Sequence, residues 1–299
     1  MRRYTRLASL LVVLAASLLA SRTASAQVIE LAGVWAPLMH EDAVERVAGP
    51  EVGDYLGLPI NDNMRLRGDT WEASLLTLPE HQCKPHPSTY GFRGVGNLRI
   101  WNDIDDATQN LIKINTQIQW MEQKREIWMD GRAHPPAYAA HTWQGFSTGK
   151  YVGGQLVVET DHLKAGWIRR NGLALTDAAT MEDRFIRHGE TLTHVYIISD
   201  PNYLTEPLIK TNGFRLTNQL NVAPYPCESV IEVVRERGLV PNYLIGKNPY
   251  LHEFAERFKL PYEATRGGAE TALPEYAKKV ASMPIATPAP APAAAPARR

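Results

Sequence analysis

Cysteine is scarce in this chain. Two residues in 299, Cys83 and Cys227, exclude a small disulfide-framework domain and leave room for one bond. Charge of either sign is not in surplus: 32 basic side chains face 32 acidic ones, which is not the balance of a nucleic-acid-binding protein. The longest apolar run, residues 7–20, is about 14 residues and falls short of the roughly 20 that a membrane-spanning helix needs. A Gly-rich phosphate loop, a C-x-x-C-H haem attachment site, a dinucleotide fingerprint and a basic aromatic stripe are all missing, so nucleotide, c-type haem and nucleic-acid functions drop out. So are the metal spacings H-x-H and H-E-x-x-H; His252-Glu253 begins the latter without its second histidine.

What is present begins with a leader. Arg2, Arg3 and Arg6 precede the apolar run, and Ala24-Ser25-Ala26 is the small-x-small pattern that signal peptidase cuts. The expectation is a signal peptide over 1–26, a mature chain starting at Gln27, and a periplasmic or secreted protein with no spanning segment of its own. Removing four leader arginines leaves 28 basic against 32 acidic side chains, a formal charge of −4. A chain of this size can bury one large core without metals or many disulfides. In an oxidising compartment Cys83 and Cys227 read as a disulfide, and the competing reading takes His81, Cys83 and His86 as a soft-metal site. From Ala286 to Ala297 only Ala, Pro and Thr occur, so 284–299 reads as a disordered tail.

Between these ends, residues 27–97 read as irregular, with one helix near 61–76 capped by Asn61 or Asp62. The texture then changes to strand after strand: 98–101, 111–120, 125–129, 146–152, 155–161, 182–188, 191–199 and 208–217, with hairpin chemistry at Gly153-Gly154 and Gly189-Glu190. No helical pattern separates them, which disfavours parallel βαβ construction. The fold class expected is mainly β, an antiparallel meander over 98–220 forming a closed barrel or strongly curved sheet. A mixed segment over 221–283, with helices near 249–258 and 274–281, is expected to pack on that sheet. Alternation puts Leu156, Val158, Thr160 and His162 on one face, and Leu192, His194, Tyr196 and Ile198 on another. About eight strands enclose an interior that is either filled or just wide enough for one small ligand.

Several motifs compete for the chemistry. Gly145-Phe146-Ser147-Thr148-Gly149 matches the nucleophile elbow, but the residues after it form a hairpin where the elbow requires a helix, so Ser147 is read as part of a bent strand. The loop after 125 is richer: it gathers Trp128, Asp130, Arg132, His134, Tyr138, His141 and Trp143, and its two histidines either transfer protons, hold a metal, or fix the loop through backbone hydrogen bonds. Arg169 and Arg170 either grip an anion or form a solvated surface, and Asp200 to Pro207, with Tyr203, reads as turn architecture.

The runs Leu78 to Cys83, Ile127 to Pro136, His141 to Gly149, Asp200 to Pro207 and Arg266 to Thr271 resemble a broad family of exported bacterial proteins of unassigned activity. That family's usual Trp-Glu-Gly-Asp is replaced here by Tyr151-Val152-Gly153-Gly154. Gly33-Val34-Trp35 before a meander is similar to the opening of lipocalin-like barrels, which implies a barrel.

Two functions follow as expectations. The first is a barrel that binds a small, largely apolar or aromatic molecule in its interior or rim through Trp128, Arg132, Trp143, Tyr151, Arg169, Tyr196 and Tyr203. The alternative is a periplasmic enzyme on the same scaffold, a cofactor-free lyase, isomerase or hydrolase, or a metal-assisted one. It would use Asp130, His134, His141, His162 and His194, with Asp161 as a second carboxylate. Convergence of His141, His162 and His194 in one cavity favours the enzyme; scatter and satisfaction by backbone favour binding. A third reading, an envelope interaction protein tethered by the Pro/Ala tail, ranks below both. The sequence leaves the cofactor unknown.

Overall fold

The computed structural model describes residues 29–38, 50–93, 96–219, 225–230, 233–236 and 242–285. The leader over 1–26 and nearly all of the Pro/Ala tail lie outside the described residues. The chain is mainly β and its central sheet is a closed barrel. Nine strands form it: β1 (Gly33–Leu38), β2 (Leu98–Ile104), β3 (Leu111–Ile118), β4 (Gln123–Trp128), β5 (Phe146–Val152), β6 (Gln155–Asp161), β9 (Thr180–His188), β10 (Thr191–Ser199) and β11 (Leu208–Thr217). Two short strands, β7 (Gly166–Trp167) and β8 (Ala174–Leu175), pair in a separate hairpin. Around the ring the order is β1-β11-β10-β9-β6-β5-β4-β3-β2.

Two features of the ring depart from the expected meander. The ninth strand, β1, comes from the region read as irregular, and it closes the barrel by pairing with β11 on one side and β2 on the other. A ring with an odd number of strands cannot alternate direction at every interface. The parallel interface falls between β4 and β5, where Ile127 pairs with Ser147 and Trp128 with Thr148. Parallel neighbours need a long crossover, and here residues 129–145 supply it.

The interior is filled in three layers, each strand giving inward residues two apart. One layer is apolar: Trp35, Phe92, Ile114, Ile127, Leu156, Val158, Phe185, Leu192 and Phe214. A polar belt follows, with Thr116, Arg125, Ser147, Thr160, Asp183, His194 and Asn212 all buried on seven different strands. Beyond it a second apolar layer, including Met181, Ile198 and Leu208, packs against Tyr55, Ile60, Met64 and Leu173 from outside the ring. In the belt Arg125 Nη2 lies 2.6 Å from Asp183 Oδ2, and Arg125 also donates to Ser147 and Thr160. Burial alone would raise the Asp183 carboxyl, but the Arg125 guanidinium and His194 hold it below its ordinary value.

Outside the ring, helix α1 (Asp62–Asp69) is capped by Asn61, whose side chain accepts from Met64 N, and it stops short of the expected 76. A 3-10 turn, Ala73–Thr77, follows it. Helices α2 (Pro79–Gln82) and α3 (Ser88–Gly91) lead to β2. The C-terminal helices α4 (Glu253–Phe258) and α5 (Pro274–Ala281) belong to a segment that docks on residues 50–70: Tyr55 N and Gly57 N bond to the carbonyls of Thr265 and Gly267, and Arg266 grips Asp69 through two contacts of 2.9 Å. Cys83 and Cys227 are joined, with Cα atoms 5.5 Å apart across 144 residues of sequence. With the Cys83 sulfur in that bond it is no thiolate ligand, and burial and Arg170 push the His86 imidazole down to about 4.

The belt generates a stability prediction. Arg125→Met leaves the Asp183 carboxylate buried without its cation, and urea denaturation should show a loss of about 3–5 kcal/mol. Arg125→Met with Asp183→Leu should recover most of it; no loss in the single variant would contradict the pairing.

Candidate functional site

The crossover loop 129–145 folds back on the outer wall of the barrel and brings His134 and His141 to the end of β6, beside His162. Ser147 points into the belt, so its neighbour Thr148 points out. His134 bridges that outer face: Nδ1 lies 2.9 Å from Asp161 Oδ2, and Nε2 lies 2.8 Å from Thr148 Oγ1. The second Asp161 oxygen, Oδ1, lies 2.6 Å from His162 Nδ1. His162 Nε2 reaches the Pro136 carbonyl at 3.0 Å, and His141 Nδ1 reaches the Leu163 carbonyl at 2.9 Å. The His141 and His162 rings are 5.3 Å apart. His162 takes a left-handed backbone, φ 52°, an uncommon conformation for a side chain of this size.

Protonation follows from the partners. Burial works to raise the Asp161 carboxyl, but hydrogen bonds from His162 and His134 outweigh it and hold the group below its usual value. An ionised carboxylate only accepts, so His134 donates from Nδ1 and its Nε2 lone pair accepts from the Thr148 hydroxyl. His162 faces an acceptor at each nitrogen, Asp161 and then the Pro136 carbonyl, and these raise its pKa. It is therefore best satisfied as the imidazolium. The result is a base whose tautomer is fixed by a carboxylate, with a hydroxyl at its free nitrogen.

A cavity of about 440 Å³ opens beside His134 and Asp161, bounded by Glu159, Glu182, Met181, Ile197 and Ser199. Glu159 is paired with Lys150 and Glu182 with Arg184. Among the described residues no group of three or more His, Cys, Asp or Glu side chains is placed to hold a metal ion, and no helix is long and apolar enough to cross a membrane.

The other expected site residues are dispersed. His194 does not join His141 and His162: it sits in the belt, Nε2 on Asp183 at 2.6 Å and Nδ1 on Asn212 at 3.2 Å, because its position on β10 points inward. Tyr196 stacks on His194 inside the barrel and accepts from Arg93. Trp128 lies under the Arg132 guanidinium at 3.4 Å, and Arg132 pairs with Asp130. Trp143 is flanked by Lys84 and Lys164, Tyr151 donates to the Ile29 carbonyl, and Tyr203 accepts from Arg67. Arg169 is not a solvated surface residue; its side chain is 14% exposed and lies 3.6 Å from Asp54. Asp200 binds Thr176 and the Asn202 amide, as turn architecture requires.

Sequence reasoning passed over Thr148. Its signal was in plain view, one place after Ser147 in a strand, where alternation makes the buried serine and the accessible threonine exclusive of each other. The glycines that make the elbow pattern have packing causes. Gly145 has φ 68°, and a Cβ there would lie 2.5 Å from the Asp161 carbonyl; a Cβ at Gly149 would lie 2.7 Å from Met129 Sδ.

No family model matches the chain, and no curated protein matches it. Among solved structures, a single-residue mutant of the fluorescent protein UnaG is similar over 63% of this chain and 97% of its own, with 9% identity and a TM-score of 0.29.

The His162 imidazole and the Asp161 carboxylate make the loop's hold on the wall depend on pH. The raised His162 pKa gives stability that is present below its unfolded value, near 6.5, and lost as pH rises through the folded one. The lowered Asp161 pKa gives stability present above about 3.9 and lost as pH falls. Amide exchange over 130–142, corrected for intrinsic rate, should be slowest from about pH 5 to 6.5 and quicken on both sides. In Asp161→Asn the window should vanish; protection that ignores pH in the wild type would contradict the clasp.

Proposed function

We propose that the protein is an exported barrel that binds a small molecule on its outer wall and acts on it by acid–base chemistry. His134 moves the proton and Asp161 orients it. One observation carries this reading: the His134 ring is held between a carboxylate and a hydroxyl on the wall of a cavity of about 440 Å³. Among the described residues, aromatic rings and the Arg125–Asp183 pair fill the interior. The outer cavity combines Ile197 with carboxylates and the Ser199 hydroxyl, which suits a small ligand with hydrogen-bond donors and an apolar edge. The His134 Nε2 lone pair takes a proton from a bound hydroxyl, carbon acid or water, with the Thr148 hydroxyl as relay. The two carboxylate oxygens are both engaged, so Asp161 keeps the ring aligned throughout. Export is supported by the leader pattern and by the Cys83–Cys227 bond, which persists in oxidising compartments.

A panel of aryl esters, lactones and ketones with exchangeable α-protons tests this. Turnover of at least one class is expected, falling about 10²- to 10⁴-fold in His134→Gln, the range for a lost general base. Asp161→Asn should lower it with little change in KM. Turnover untouched in His134→Gln would overturn the reading, and small molecules that bind without moving the His134 resonances would leave binding in its place.

A further inference from the structure

A second cleft shares no lining residue with the His134 cavity and has different chemistry. It encloses about 380 Å³ between residues 50–52, 71–76 and 243–253. Three aromatic rings line it, Trp71, Tyr243 and Tyr250, and so do three carboxylates, Glu51, Glu72 and Glu253. The Tyr243 and Tyr250 rings meet edge to face at 6.1 Å, and Trp167 backs Trp71 edge-on at 5.0 Å.

The walls are fixed before any ligand arrives. Asn248 is buried and donates to the carbonyls of Asp69 and Trp71, each at 2.9 Å, while Tyr243 N bonds to the Thr70 carbonyl at 2.9 Å. These bonds tie the 243–253 wall to the 69–72 wall. Burial and then Glu72 push the Tyr243 phenol above its usual pKa, so the ring stays neutral.

The charges do not cancel. Glu51 is paired with Arg257, and Arg170 also lines the cleft. Glu72 and Glu253 against Arg170 leave one negative charge in excess among the lining side chains. An inorganic cation prefers a shell of oxygens. Aromatic faces combined with excess negative charge suit instead a cation clothed in carbon.

We propose that this cleft binds a small organic cation, an ammonium with apolar substituents, whose charge rests on the rings of Tyr243 and Tyr250 over a floor closed by the buried Trp71, and is matched by Glu72 and Glu253.

Choline is the probe, and 3,3-dimethyl-1-butanol, its uncharged carbon isostere, is the control, both at constant ionic strength. Calorimetry should show saturable choline binding, with the isostere about tenfold weaker or worse. The Trp71 indole N–H resonance should move with the same dissociation constant. Tyr243→Leu and Glu72→Gln/Glu253→Gln should each weaken binding roughly five- to tenfold at unchanged Tm. If Tyr243→Leu fails to fold, the exposed Glu253→Gln alone carries the test. His134→Gln should bind choline as the wild type does, which separates this site from the acid–base one. Absent saturation, equal binding of the isostere, or full affinity in the carboxamide variants would each overturn the proposal.

Discussion

Nine strands cannot close a ring with every neighbour antiparallel, and much of this molecule follows from that constraint. The interface that breaks the alternation is β4–β5. Because its strands run the same way, the chain leaves the end of β4 and must travel back along the wall before starting β5. The travelling segment is 129–145, and it carries His134, Pro136 and His141 over the outer ends of β5 and β6. A meander of hairpins would have had a tight turn there and no histidine cluster.

The belt inside the ring sends function in the same direction. Arg125, Asp183, His194 and Asn212 satisfy one another across four strands, and the layers above and below them are apolar. A ligand entering this interior would separate charges that water cannot reach, at a cost of several kcal/mol per ion. The same residues fix which way each strand faces, since a one-residue slip would turn the charged set outward. The outer wall is thus the place where histidine and carboxylate meet solvent: His134 and Asp161 are 25% and 32% exposed, against 2% and 0% for His194 and Asp183.

The inward face of β10 was legible in the sequence, because strict alternation over nine residues leaves one solution, whereas β6 buries Val157 along with Leu156 and Val158. Strand ends at Gly153-Gly154 and Gly189-Glu190 were legible for the same local reason. β1 was not: its six residues contain Pro37 and only Gly33-Val34-Trp35 hinted at a strand, whose partners β2 and β11 lie some 60 and 180 residues away. Missing that strand hid the parity of the ring, and with it the parallel pair. For the site, the loop 128–143 stood out by composition, but which histidine met which carboxylate depended on the fold-back. His194 and His162 looked equivalent on alternation alone; the first lies mid-strand among buried charges, while the second follows the strand end, where a left-handed turn aims it at the loop.

The direction of two hydrogen bonds makes His134 a base, and long-range ¹H–¹⁵N correlation of the histidine side chains reads both directly. With Asp161 ionised, His134 should show a protonated Nδ1 and a bare Nε2. A His134 proton on Nε2, leaving Nδ1 bare toward Asp161, would contradict it.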